Sequence, residues 1–142
     1  MIRRISTVTM YVRDQDDALK FYTEKLGFEK RTDAEGPPGF RWLTVAPPGA
    51  ETQFVLLRPD QTDLPPELAK RAEADIGFSP HFVVESDDIQ AIYQELSSRG
   101  VEFTQPPTRQ PWGMMMAQLK DLYGNVIVLV QADEAARAQG LE

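Results

Sequence analysis

The strongest constraint on the fold is that the chain repeats itself. Asp14 and Gly27 lie 13 residues apart, and so do Asp87 and Gly100. The same displacement of 73 relates Ala18 to Ala91 and Glu29 to Glu102. Both copies carry the same order of signals. In the first, residues 5–12 are β-branched and aromatic, which favours a strand. Asp14 then stands where a helix N-cap would, and Asp16 and Asp17 complement the positive end of the helix dipole rather than mark a cation site. Ala18, Phe21, Tyr22 and Leu26 follow at helical spacing. Gly27 supplies the left-handed residue that ends the helix, and Phe28 can fold back over its last turn. A Gly/Pro loop at 36–39 precedes strands over 40–45 and 52–57, with room for one more short strand near 29–32.

In the second copy residues 81–84 read as a strand, and Asp87 and Asp88 start a helix. Its Ile89, Ile92, Tyr93 and Leu96 fall at i, i+3, i+4 and i+7, and Gly100 closes it. Strands over 114–118 and 126–130 are joined by a turn at 121–125. Two units of roughly 55 residues are each too small to bury a comfortable core, so they are expected to share one sheet. The fold class is α+β. The expected boundaries are module 1 at about 4–58, a Pro- and charge-rich linker at about 59–78 and module 2 at about 79–131. The linker holds a helix started by proline, and a tail at 132–142 frays or packs on a partner.

Composition narrows the chemistry. The 142 residues include 22 acidic and 15 basic side chains, a net charge of −7. No basic cluster is present, so nucleic acid and anionic membranes are not expected partners. No apolar run approaches the ~20 residues of a membrane span, and residues 1–5 lack the apolar block of a signal peptide, so the cytoplasm is expected. There is no cysteine, which removes disulfides, thiolate metal sites and cysteine nucleophiles. There is one histidine, His81, so one copy of the chain cannot supply a centre that needs two imidazoles.

The pattern Asp14-x3-Ala18-x2-Phe21-Tyr22-x3-Leu26-Gly27-Phe28, the strand Phe40-Arg41-Trp42, and Asp121-x2-Gly124-Asn125 together resemble the glyoxalase/bleomycin-resistance/dioxygenase superfamily, also called the vicinal oxygen chelate fold. The resemblance runs from about residue 5 to 131. It implies two βαβββ modules whose strands form a curved mixed sheet, a half-barrel or cup, with the helices outside. It also implies a small-molecule site inside the cup, in many members around a divalent metal that stabilises negative charge on the substrate, and pairing into homodimers.

Carried over one by one, the implied ligand positions fall on Thr7, Gln53, His81 and Val128. A displacement of 73 would instead pair His81 with Val8. One imidazole and one amide with no carboxylate bind a divalent cation weakly. Glu51 and Glu85 would enter only in another strand register. No cofactor is therefore expected, and a metal at His81 and Gln53 is the less favoured alternative.

Strand alternation decides what the cup would present instead. Val8, Met10 and Val12 are expected beneath the helix, leaving Thr7, Thr9 and Tyr11 to line the cup. Gln53, Val55, His81, Val83 and Val128 join them, with Trp42, Trp112, Met114 and Met116. This is an apolar, aromatic-rimmed surface with a few polar points, suited to a small organic molecule. Blander readings stand beside these. His81 serves equally as a hydrogen-bonded strand residue, Trp42 and Trp112 as packing, and Tyr11 as a packed aromatic. Met114, Met115 and Met116 cannot all face one side.

Three functions remain. The first is a metal-free small-molecule binder. The second is a metal-dependent glyoxalase-like lyase or isomerase using His81 and Gln53. The third is a metal-free enzyme with His81 as general base and Tyr11 orienting the substrate. An extradiol dioxygenase is disfavoured, because its iron needs two histidines.

Overall fold

The computed structural model describes residues 1–131, and its architecture is the duplication read from the sequence. The first compact unit, Met1–Pro80, runs through β1 (Thr7–Tyr11) and α1 (Gln15–Lys20), which continues as a π-helical turn (Phe21–Lys25). It then adds β2 (Glu29–Glu35), β3 (Arg41–Ala46) and β4 (Gln53–Leu57). A 3-10 turn (Pro59–Gln61) and α2 (Pro66–Ala74) occupy the expected linker. The second unit begins at His81 and holds β5 (Phe82–Glu85), α3 (Ile89–Ser98), β6 (Phe103–Arg109), β7 (Met115–Lys120) and β8 (Val126–Gln131). The expected tail at 132–142 lies outside the described residues.

The strands pair into two open four-stranded sheets, β1-β4-β3-β2 and β5-β8-β7-β6, one per unit, not into one shared sheet. The topologies are the same. In each, the first strand pairs in parallel with the fourth and the other pairs are antiparallel.

The repeat itself has a different register from the one the sequence indicates. The N-cap of α3 is Asp88, not Asp87: its Oδ1 accepts from Ala91 N at 3.1 Å, as Asp14 Oδ1 accepts from Asp17 N at 2.9 Å. The caps are thus 74 residues apart while the terminal glycines, both at positive φ, are 73 apart. The extra residue of the first copy is taken up by the π-helical turn. There Leu26 N donates to Phe21 O, five residues back, instead of the usual four. At the β1 end the displacement of 74 holds, so His81 matches Thr7 and not Val8.

Each sheet has one face under a helix. In the first unit Arg41 reaches Asp16 of α1, at 2.7 Å between Nη1 and Oδ1, which places α1 on the face shared by Arg41, Leu43 and Val45. Met10, Val12, Leu43, Val45 and Leu56 are fully sealed there with Ala18 and Tyr22. In the second unit Tyr93 of α3 meets the Phe103 ring edge-on at 4.8 Å, and register carries that face through Leu119 to Ile127. Val8, Met10 and Val12 thus lie beneath the helix, as strand alternation requires.

Candidate ligand-binding faces

The face of the first sheet away from α1, helix-free among the described residues, follows from its register. Thr7 lies opposite Gln53, Thr9 opposite Val55 and Tyr11 opposite Leu57. Val55 is in turn opposite Thr44, Thr44 opposite Thr32, and Trp42 opposite Ala34. Thr7 and Thr9 are exposed, and Gln53 and Tyr11 half-buried. Val55 keeps only 1% of its surface. Trp42 is 36% exposed and lies nearly parallel to Phe40, with ring centroids 6.5 Å apart and planes at 24°. It is not core packing.

The second sheet presents different chemistry on its helix-free face. Val83 lies opposite Val128, Glu85 opposite Val130, Gln118 opposite Val128, and Met116 opposite Val130. Met114 and Val130 form a buried cluster against which Met116 and Val128 pack. Met114 precedes β7 instead of opening it, because its carbonyl closes the turn by accepting from Gln110 N at 2.7 Å. His81 likewise sits one residue before β5 and is exposed, as is Val83 at 59%. Trp112, 48% exposed, stands in the turn between β6 and β7.

These placements test the implied metal site. Thr7 and Gln53 are register partners. Continuing the β5–β8 register by one residue sets Val126 opposite His81, whereas Val128 is opposite Val83. The matching position in the second sheet is therefore Val126, and the change brings no donor. A hydroxyl, an amide, an imidazole and an aliphatic side chain do not fit a divalent cation, which needs charged or multiple oxygen ligands. Among the described residues no three His, Cys, Asp or Glu side chains are grouped so as to hold a metal.

Other polar clusters lie away from these faces. Arg41 holds Asp33 with a two-pronged pair, Nε to Oδ1 at 2.8 Å and Nη2 to Oδ2 at 2.9 Å, besides its bond to Asp16. The Arg41 hydrogen bond draws the Asp33 carboxyl below its ordinary range, and the same carboxylate raises the guanidinium further. Gln15, 6% exposed, donates from Nε2 to Leu56 O at 2.7 Å and to Arg41 O at 3.1 Å, and accepts from Gln61 Nε2 at 3.2 Å. A hollow of about 330 Å³ lies against α2, lined by Pro59, Asp60, Pro66, Ala69, Lys70 and Glu73. It contains none of the residues expected from the sequence. Gln15 and Phe40 were legible only as helix and strand residues. No spacing pattern marks a buried amide or a stacked ring.

Comparison with known proteins agrees with this architecture. The profile of the Glyoxalase/Bleomycin resistance protein/Dioxygenase superfamily matches residues 4–129. YetH of Bacillus subtilis (strain 168) is 39% identical over 129 residues, covering 91% of this chain and 98% of that protein. The crystal structure of UcmS2 superposes with a TM-score of 0.79 at 35% identity, covering 92% of this chain and 98% of that one. TnmS3, an antibiotic binding protein from Streptomyces sp. CB03234, gives 0.73 at 35% identity, covering 93% and 98%. A duplicated βαβββ fold, a matching profile over nearly all its length and relatives above 30% identity lead to one assignment: the chain belongs to the glyoxalase/bleomycin resistance protein/dioxygenase superfamily.

Proposed function

We propose that this protein binds a small organic molecule on the helix-free faces of its sheets and does so without a resident catalytic metal. The observation that carries the reading is the exchange of donors for apolar side chains. Where the family resemblance implies ligands, the second sheet offers Val126 and Val128, and Val128 packs with Met114, Met116 and Val130. Thioether and aliphatic side chains make an adaptable apolar surface, and Thr7, Thr9, Tyr11 and Gln53 add neutral hydrogen-bonding points on the first sheet. That TnmS3 is an antibiotic binding protein supports binding over catalysis for this chain too. His81 and Tyr11 serve in this reading as polar contacts for the ligand.

The test is thermal unfolding with Zn²⁺, Ni²⁺ or Mn²⁺, and separately with a panel of organic compounds. A ligand at a hundred times its Kd adds about 2.7 kcal/mol, which raises the midpoint of a chain this size by about 5–10 °C. The expected outcome is no shift with metals and a shift of that size with at least one organic compound. A metal-dependent shift that is abolished in both His81→Ala and Gln53→Ala would overturn the reading in favour of a lyase or isomerase.

A further inference from the structure

Both copies of the repeat carry the same irregularity and use it differently. β2 and β3 shift register between Lys30 and Thr32, and β6 and β7 shift between Phe103 and Gln105. A bulge of this kind re-aims the side chain that follows it. Phe103 lies opposite Leu119 on the face under α3, whereas Gln105 lies opposite Gln118 on the face away from it. The matching pair in the first copy is Thr32 and Thr44. There the Thr44 hydroxyl accepts from Thr32 N at 3.0 Å, and Thr44 keeps only 1% of its surface. Gln105 and Gln118 are both half-buried, and among the described residues neither side chain hydrogen-bonds to the protein. Gln118 is in turn opposite Val128, and Val128 opposite Val83, so one row runs from two amides to two isopropyl groups. None of the four is sealed: Val128 is half-buried and Val83 is 59% exposed. The face's charged residues in β5 and β7 stand in the rows to either side, Glu85 opposite Val130 and Lys120 opposite Val126.

We infer that Gln105 and Gln118 are the specificity-determining pair of this face and that they select a ligand carrying an amide or lactam edge. The inference rests on the small-molecule reading above and narrows its ligand. Each side-chain amide presents N–H donors beside a carbonyl acceptor, and directly opposed strand residues hold their Cβ atoms about 4.5–5.5 Å apart. A secondary amide or lactam offers the complementary acceptor and donor, so one ligand group engages both halves of a carboxamide. An ester or lactone of the same shape has acceptors only. It leaves a glutamine carbonyl without a donor, and a site that hydrogen-bonds an N–H discriminates against the analogue lacking it. Val83 and Val128 take the apolar remainder of the molecule.

The test titrates the full chain calorimetrically with 2-quinolone and coumarin, which share one bicyclic skeleton and differ in a ring N–H against a ring oxygen. 2-Quinolone is expected to bind about twofold to tenfold more tightly, the range one hydrogen bond is worth. Gln105→Met and Gln118→Met keep the bulk of each side chain and delete its polar atoms. Each single variant is expected to lose part of the preference and the double variant nearly all of it, so the result does not hang on the double variant folding. Equal affinities of the two probes for the unmodified chain overturn the amide class. A preference that persists undiminished in both single variants overturns the assignment to these side chains. If neither probe binds while another organic compound does, the ligand class is wrong and the binding reading stands. If no organic compound binds, both fall together.

Discussion

Replacing Gln15 tests how the first unit is held together. The β3–β4 ladder pairs Thr44 with Val55 and Val45 with Phe54. Beyond it, the Gln15 amide spans the two strands by donating to Arg41 O and Leu56 O. Gln15→Ala removes a donor from a buried carbonyl and from a half-buried one, and leaves the Gln61 amide without this acceptor. A buried polar group stripped of its partner costs about 1–3 kcal/mol and the weaker bonds about 0.5–1 more, so the expected loss is about 2–3 kcal/mol. Gln15→Met keeps the volume and deletes only the polar atoms, and should lose nearly as much. The assay is urea unfolding of the Trp112→Phe chain, where Trp42 emission reports the first unit alone. With a slope of about 1–3 kcal/mol per molar urea, the midpoint should fall by about 0.7–3 M. A loss below about 0.5 kcal/mol at unchanged slope would mean that water satisfies these carbonyls and that the bridge is incidental.

Three further outcomes follow from particular contacts. Asp88→Ala should cost about 1 kcal/mol and Asp87→Ala almost nothing, because only Asp88 caps α3; calorimetric midpoints of the two variants decide it. Asp33 is held below its ordinary carboxyl value by Arg41, so its contribution is present above the unfolded value of about 4 and is lost as pH falls through the depressed folded one. For a partly exposed pair this is about 1 kcal/mol, so Asp33→Asn should be less stable than wild type near neutrality, and urea midpoints should converge in strong acid. Asp121, 6% exposed, accepts from Tyr123 N, Asn125 N and Asn125 Nδ2 at 2.8–2.9 Å, and Asp121→Ala should cost about 3 kcal/mol, read from Trp112 in a Trp42→Phe chain.

What the sequence disclosed and what it hid divide along physical lines. Period-two and period-3.6 patterns report which side chains must leave water, so the strands, the helices and the sealed face of Met10 and Val12 were readable. The π-helical turn was not, because one added residue barely disturbs a helical stripe. It also disguised the repeat: Asp87 to Gly100 matches Asp14 to Gly27 in length only because Asp87 lies one residue outside its helix. Two adjacent aspartates are equally good caps until a backbone N–H chooses between them. β2 was expected only near 29–32, yet it runs to Glu35 through the strand-disfavouring Asp33, which Arg41 meets across the ladder. The Phe40 ring of the Phe40–Trp42 pair lies against Gly36, and a sequence pattern registers what is present more readily than what is missing.

The two copies also show where chemistry is free to change in this fold. On the faces under the helices, the pair Met10 and Leu56 answers to Val84 and Leu129, apolar for apolar. Shrinking such a residue leaves a cavity that costs several kcal/mol, at about 2–5 for a large aliphatic cut to alanine, so packing restricts the choice. On the helix-free faces Thr9 and Val55 answer to Val83 and Val128, and Tyr11 and Leu57 to Glu85 and Val130. A hydroxyl has become an isopropyl group and a phenol a carboxylate, with the backbone pairing unchanged. Thr9, Val83 and Glu85 are exposed, so their identity can change without opening a cavity. Thr7 is the hardest case for a metal reading. It holds the place that His81 holds in the other copy, and a neutral threonine hydroxyl cannot do there what an imidazole can. Thr7→His therefore makes a direct test. If zinc then raises the thermal midpoint where it raised none before, the fold retains the geometry of a metal site and this chain lacks only the donors. If zinc still does nothing, a second imidazole is not enough, as expected while Val126 supplies no donor.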